Sequence, residues 1–248
     1  MAPLRTALAL SVVALSSAAL ADDPRPPPRG HGALPAAAAP TDGGVAASPG
    51  ARYLESLPAA TREALLKDGQ VILDTRTSGS GPSLVKAAVR FARSRADTYA
   101  LITQPAEQHT FLPHVEVSRA VGERTELGER EDFEVSFLFT FKYRTQHWFY
   151  PEEDRVEWNL DPTGGDGLEA QLGYWQLYEL DDHTTLAEYG THIVARGALL
   201  NFFRSLGERG AINEALTAFR KHIDTSPRVA TRPAALPPAG AGAAAVGP

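Results

Sequence analysis

Residues 132–150 read DFEVSFLFTFKYRTQHWFY, and the alternation in this stretch decides the fold class. Phe133, Val135, Phe137, Phe139, Phe141 and Tyr143 share one parity. Glu134, Ser136, Thr140, Lys142 and Arg144 share the other, with Leu138 the exception. Period-two alternation puts apolar side chains on one face of a strand and polar ones on the other. Nineteen residues exceed a typical strand of about five or six. Two consecutive strands with a break near Leu138–Phe141 are therefore expected.

The same alternation extends outward along the chain. Leu84–Phe91 sets Val85, Ala87, Val89 and Phe91 against Lys86 and Arg90, a strand with one wet face. His114–Val121 opposes Val115, Val117 and Arg119 to Glu116, Ser118 and Ala120. Val156, Trp158 and Leu160 form another alternating run, and Asp161–Gly167 (DPTGGDG) has the composition of a loop. Gly173–Leu180 and Thr184–Ala195 read as strands around the turn Asp181-Asp182-His183, and Gln70–Arg76 as a further short strand.

Four helical stretches interrupt this pattern. Pro58–Lys67 has Pro in its first turn and Gly69 just past its end. Ser94, with Asp97 three residues on, caps a helix that runs to about Thr103. Pro105 stops it, and a second short helical piece, Ala106–Phe111, follows. Finally, Ala198–Ile223 spaces Leu199, Phe202, Phe203, Leu206, Ile212, Leu216, Phe219 and Ile223 helically, and Gly207 and Gly210 predict a bend within it. One-sided strands need a cover, and only this last helix is long enough. The expected class is α+β, a curved antiparallel sheet of about six to seven strands wrapped around a long C-terminal helix.

Both ends of the chain differ from this middle. Residues 1–21 place Arg5 before an apolar run that ends Ala19-Leu20-Ala21, the pattern of a secretory signal cut after Ala21. Residues 22–52 contain 7 Pro, 5 Gly and 8 Ala, and residues 226–248 contain 5 Pro, 3 Gly and 8 Ala. Such segments carry too little apolar surface to offset the entropy of ordering, so a linker and a tail are expected there. The single domain is then 53–225, with 53–82 an added front piece and 83–223 the core. This domain carries a net charge of −9 and the whole chain −6. That balance disfavours nucleic acid, whose phosphates require a basic footprint. The chain has no cysteine, which excludes disulfides, thiolate metal sites and a cysteine nucleophile.

Several local stretches resemble the START and polyketide cyclase-like superfamily, the helix-grip or SRPBCC fold. Val85-Lys86-Ala87-Ala88-Val89 followed by Ala96-Asp97-Thr98-Tyr99-Ala100-Leu101-Ile102 looks like its first strand and helix. Phe111-Leu112-Pro113-His114-Val115 resembles the segment before its second strand. Leu200-Asn201-Phe202-Phe203 and Ala215-Leu216-Thr217-Ala218-Phe219-Arg220 resemble its closing helix. The similarity covers about Ser83 to Ile223, and the coenzyme Q-binding START-like and polyketide cyclase groups look nearest.

What this resemblance implies is an apolar cavity between sheet and helix that holds a lipid, quinone or isoprenoid-like molecule. Its expected lining is Phe111, Phe133, Phe137, Phe139, Tyr143, Trp158, Tyr174 and Tyr189, with Phe202, Phe203 and Leu206 from the helix. The alternative for these aromatics is a filled, dry core. Tyr143, Tyr174, Tyr189, His114 and Arg144 are candidates for polar contacts to a ligand. A cyclase or dehydratase would draw on Tyr143, Tyr174 or Arg144.

No cofactor and no metal site is expected. His109 and His114 are not spaced to share one helix face, and no H-E-x-x-H occurs. Ser80 has no G-x-S-x-G frame, and Gly164-Gly165-Asp166-Gly167 is a turn rather than a phosphate loop. The acidic groups at 129–134, 152–154 and 181–182 read as wet faces and hairpin tips. The expected function is an exported, non-catalytic carrier of a hydrophobic small molecule, with transient membrane contact for ligand exchange. A protein partner outside the membrane stays open as a third reading.

Overall fold

The computed structural model describes residues 47–77, 83–136, 140–165, 168–195 and 208–227. The expected signal segment, residues 22–46 of the expected linker, and residues 228–248 of the expected tail lie outside the described residues, as do Phe137, Phe139, Phe202, Phe203, Leu206 and Gly207.

The described strands are β1 (Gln70–Thr77), β2 (Ser83–Phe91), β3 (Val115–Thr125), β4 (Gly128–Ser136), β5 (Thr140–Tyr150), β6 (Arg155–Gly165), β7 (Leu168–Asp181) and β8 (Thr184–Ala195). They form one open, curved antiparallel sheet in the order β1-β2-β8-β7-β6-β5-β4-β3. Eight strands replace the expected six to seven, because β1 pairs with β2 and becomes the sheet's edge. The helices are α1 (Pro49–Ser56), α2 (Ala59–Asp68), α3 (Arg95–Ile102) and α4 (Glu208–Thr225). A 3-10 turn, Pro105–Thr110, follows α3.

The quoted stretch divides as anticipated into β4 and β5, paired from Gly128↔Trp148 to Ser136↔Thr140. Ser94 caps α3, its Oγ accepting from the Asp97 N–H at 3.3 Å. Two expectations change in detail. The DPTGG run is part of β6, with a register shift where Tyr143 pairs with Gly165 and Arg144 with Asp161. Pro162, which has no N–H to give to a ladder, falls in the irregular stretch between those two pairs. In β3, a bulge between Val115 and Val117 flips the parity, so Ser118 is buried and Val117 turns to the opposite face from Val115.

One face of the sheet packs against α4. Ala87, Val89, Phe91, Val156, Trp158, Trp175, Leu177 and Ala187 meet Leu216 and Ile223 there, joined by Ile102 of α3. Hydrogen bonds fix the helix on the β1–β2 edge: Gln70 Nε2 donates to Asn213 Oδ1 at 2.7 Å and to Thr217 Oγ1 at 2.8 Å. The Ala92 N–H donates to Asp224 Oδ1 at 2.8 Å. The described α4 is 18 residues long, and the stretch 198–207 expected to precede it lies outside the described residues.

The opposite face is not wet at its β2–β8–β7 end, contrary to expectation. There α1 and α2 bring Tyr53 and Leu65 onto Ala88 and Leu186, and the Tyr53 and Tyr178 rings stack at 4.4 Å. The helix α1 starts at Pro49, four residues ahead of the expected domain start. Gly50 permits its close approach to β7, since a Cβ there would stand 2.6 Å from the Glu179 carbonyl oxygen. Gly69 ends α2 in the left-handed conformation at φ 79°.

Leu65 is fully buried in this second layer, while its neighbour Leu66 is 40% exposed. Leu65→Ala is expected to lower unfolding stability by about 2–5 kcal/mol. Leu66→Ala should change it by no more than about 0.5 kcal/mol. Urea denaturation of both variants checks the pair, and equal effects would show that α2 is not docked as described.

Candidate functional site

Between the α4 face of the sheet and α4 lies a cavity of about 220 Å³. Strand alternation decides who reaches it. From β4 and β5 it receives Phe133, Val135, Phe141, Tyr143, Thr145 and His147, all of one parity. Trp158 comes from β6, Gln171 and Trp175 from β7, Tyr189 and Ile193 from β8, and Ala215 and Phe219 from α4.

Of the expected lining residues, Phe133, Tyr143, Trp158 and Tyr189 are in place. Phe137, Phe139, Phe202, Phe203 and Leu206 lie outside the described residues. Two expectations are corrected. Tyr174 faces the other way, toward the α1–α2 side, where its hydroxyl donates to Glu188 Oε1 at 2.5 Å; its neighbour Trp175 takes the inward place. Phe111 packs on the outer part of α4, stacked on His222 at 4.0 Å and edge-on to Phe219 at 5.1 Å. Arg144 is also outside the cavity, donating from Nε to Asp132 Oδ1 at 2.7 Å. His114 lines the cavity from an exposed position, 4.0 Å from Glu214.

The walls are a chain of rings. Phe133 stacks on Tyr143 at 5.1 Å, Trp158 lies 5.9 Å from Tyr189, and Tyr189 lies 4.8 Å from Trp175. Phe219 closes the chain edge-on to Trp175 at 5.5 Å. Polar atoms gather on β5 and β7. His147 Nε2 is 3.2 Å from Thr145 Oγ1, and the Gln171 amide pairs with the Tyr143 hydroxyl.

Behind His147 stands a group that the acidic run at 129–134 concealed. Glu131 is 0% exposed and pairs across the strands with Thr145. Both its carboxyl oxygens and His147 Nδ1 are buried without hydrogen-bond partners, and Oε2 lies 3.6 Å from Nδ1. Glu129, equally inward, is served by Arg124 at 3.3 Å; the same guanidinium bonds the Thr103 carbonyl and covers the Phe149 ring.

Loss of hydration disfavours charge on both unserved groups. It pushes the Glu131 carboxyl up to about 9, helped by the nearby Glu129, and pulls the His147 imidazole down to about 3, helped by Arg124. Burial also raises the Tyr143 and Tyr189 hydroxyls, the latter to about 12. Glu131 and His147 are therefore both uncharged across the neutral range.

The sequence signal for these groups was available. The parity of Phe133 continues backward to Glu131 and Glu129, and on β5 forward to Thr145 and His147.

Burial of these two groups makes stability depend on pH. The folded protein keeps the Glu131 proton that the unfolded chain releases above its ordinary value of 4.5. Stability contributed by this site therefore falls as pH rises from about 4.5 toward 9. For His147 the unfolded chain takes up a proton below 6.5 and the folded one does not until about 3, so its contribution runs the other way, with stability lost as pH falls from about 6.5 toward 3. Glu131→Gln is expected to gain on the wild type steadily between about pH 5 and about pH 8. Denaturant titrations of both proteins across that range check it, and a constant difference would mean that Glu131 titrates as an ordinary carboxylate.

No protein-family model and no curated protein matches this chain. Solved structures do resemble it. The Zhui aromatase/cyclase from Streptomyces sp. R1128 matches with 13% identity over 60% of this chain and 99% of its own, at a TM-score of 0.49. A START superfamily protein from Mycobacterium smegmatis matches with 15% identity over 56% and 98%, at 0.46. Norcoclaurine synthase from Thalictrum flavum matches with 14% identity over 62% and 96%, at 0.44. These structural neighbours are of the START and polyketide cyclase-like kind that the sequence resembles, and their likeness to this chain is a distant one of overall fold.

Proposed function

We propose that this chain binds a hydrophobic small molecule, as a carrier or receptor without chemistry of its own, in the cavity between sheet and α4. The observation that carries the proposal is the cavity's make-up: aromatic and aliphatic walls with a few uncharged polar groups at one end. Its volume, about 220 Å³, bounds the enclosed part of the ligand. A void of about 150 Å³ accepts benzene, and sites for drug-sized molecules run from about 300 Å³ upward. A molecule with one or two rings fits, such as a quinone head or a cyclic isoprenoid; a longer lipid would extend beyond the enclosed space. Binding is favoured over cyclase-like chemistry because, of Tyr143, Tyr174 and Arg144, only Tyr143 reaches the cavity.

The pattern of residues 1–21 supports export, and an apolar cargo then calls for transient contact with a membrane to load and release it. Export predicts a mature protein that begins at Asp22, which intact-mass measurement of the secreted product checks.

Binding itself is tested at Ala215, a small residue of α4 on the cavity wall. Extraction of the purified protein with organic solvent should release a discrete apolar compound from the wild type. Ala215→Trp should release at least about tenfold less, because an indole fills much of the space. Equal recovery from a folded Ala215→Trp protein would place the ligand elsewhere.

A further inference from the structure

The polar end of the cavity carries more information than the walls do. Among the described residues that line it there is no Lys, Arg, Asp or Glu. Arg124, whose charge acts on both Glu131 and His147, is already engaged by Glu129 and the Thr103 carbonyl. The lining side chains Thr145 and His147 are 1% and 6% exposed. Behind them, three polar atoms face one another without partners: both carboxyl oxygens of Glu131, and His147 Nδ1. A buried carboxyl left unbonded is costly, so its retention beside a cavity asks for a reason.

We propose that the Glu131–His147–Thr145 row is a donor subsite that receives an uncharged carbonyl oxygen of the ligand, a ketone or quinone, and rejects a carboxylate. The proposal rests on the binding role above and names the ligand chemistry of the same cavity.

Proton placement decides what this row offers. A neutral carboxyl needs an acceptor, and His147 Nδ1 stands 3.6 Å away with its lone pair unused. A small side-chain adjustment brings the two into contact. Nδ1 then accepts from Glu131, and the imidazole proton resides on Nε2. Nε2–H either meets the ligand directly or donates to Thr145 Oγ1, which turns the threonine hydroxyl outward. Both arrangements present a donor to the cavity, which suits a carbonyl oxygen. A ligand carboxylate at this row would meet no Lys or Arg among the described lining residues, and its charge would be stripped of water.

The groups that face Glu131 are Glu129 on its own strand, Arg124 on β3, and His147 and Tyr143 on β5. Ionised Glu131 would instead accept a hydrogen bond from Nδ1–H, and Nε2 would become an acceptor. The carbonyl preference should therefore fade at the alkaline end, where Glu131 ionises before Tyr189 does.

Calorimetric titration with three matched bicyclic probes tests the proposal: ethylnaphthalene, acetylnaphthalene and naphthoate. At neutral pH the ketone is expected to bind about fivefold more tightly than the hydrocarbon. The carboxylate should bind at least about 100-fold more weakly than the ketone. His147→Phe should reduce the ketone-to-hydrocarbon ratio to about one, and the wild-type ratio should likewise fall between about pH 7 and about pH 10.

If ethylnaphthalene itself does not bind, the binding role fails and the subsite with it. If ethylnaphthalene binds and the ketone gains nothing, the donor subsite is wrong while the binding role stands. The donor subsite is equally wrong if naphthoate matches the ketone, if the preference survives His147→Phe, or if it is unchanged at high pH. The wild-type ranking needs no variant, so a His147→Phe protein that fails to fold leaves that test intact.

Discussion

The structure depends on a sheet whose two faces are covered by different helices over different lengths. At the β2–β8–β7 end, α4 lies on one side and α1 with α2 on the other. Consecutive residues of β2 are therefore both inaccessible: Ala87 and Ala88 are each 0% exposed. Alternation still operates there, but both parities are apolar, as in strands buried on two faces. At the β4–β5 end no described helix covers the outer parity. Glu134, Lys142 and Arg144 stay outside, with Lys142 paired to Glu134 at 2.8 Å and Arg144 to Asp132 at 2.7 Å. The doubly covered end makes the rigid seat for α4. The cavity lies toward the other end, where inward side chains of β4 and β5 face Ala215 and Phe219 of α4.

How much of this could be read from the sequence follows from the same asymmetry. The β4–β5 alternation was plain because one parity is apolar and the other charged, and it placed Phe133 and Tyr143 correctly. Tyr174 and Trp175 could not be separated by chemistry, since both are aromatic and β7 is covered on both faces at that point. Only register decides, through the pairing of Trp175 with Tyr189 and Tyr174 with Gly190. The burial of Ala88 and Leu186 was illegible for a related reason. It depends on α1 and α2 folding back across the sheet, a long-range event with no local periodicity. In β3 a single bulge reversed the expected sides after Val115, because one inserted residue flips every later side chain.

Glu131 and His147 show a different limit. Their parity is correct for the inside, yet a glutamate in a charged run, GEREDFE, is more often wet than buried. What makes burial tolerable is the local division of charge. Arg124 neutralises Glu129, the cation is spent there, and Glu131 is left to remain protonated beside a neutral imidazole. Transfer of one proton between these two would create a buried ion pair with no further hydrogen bonds to support it, an arrangement whose desolvation outweighs its attraction. The neutral pair is the favoured state as long as the cavity stays dry. An apolar ligand that excludes water strengthens that preference, and one carrying a charge would oppose it. The loss of hydration that holds the pair neutral also disfavours a charged group placed beside it.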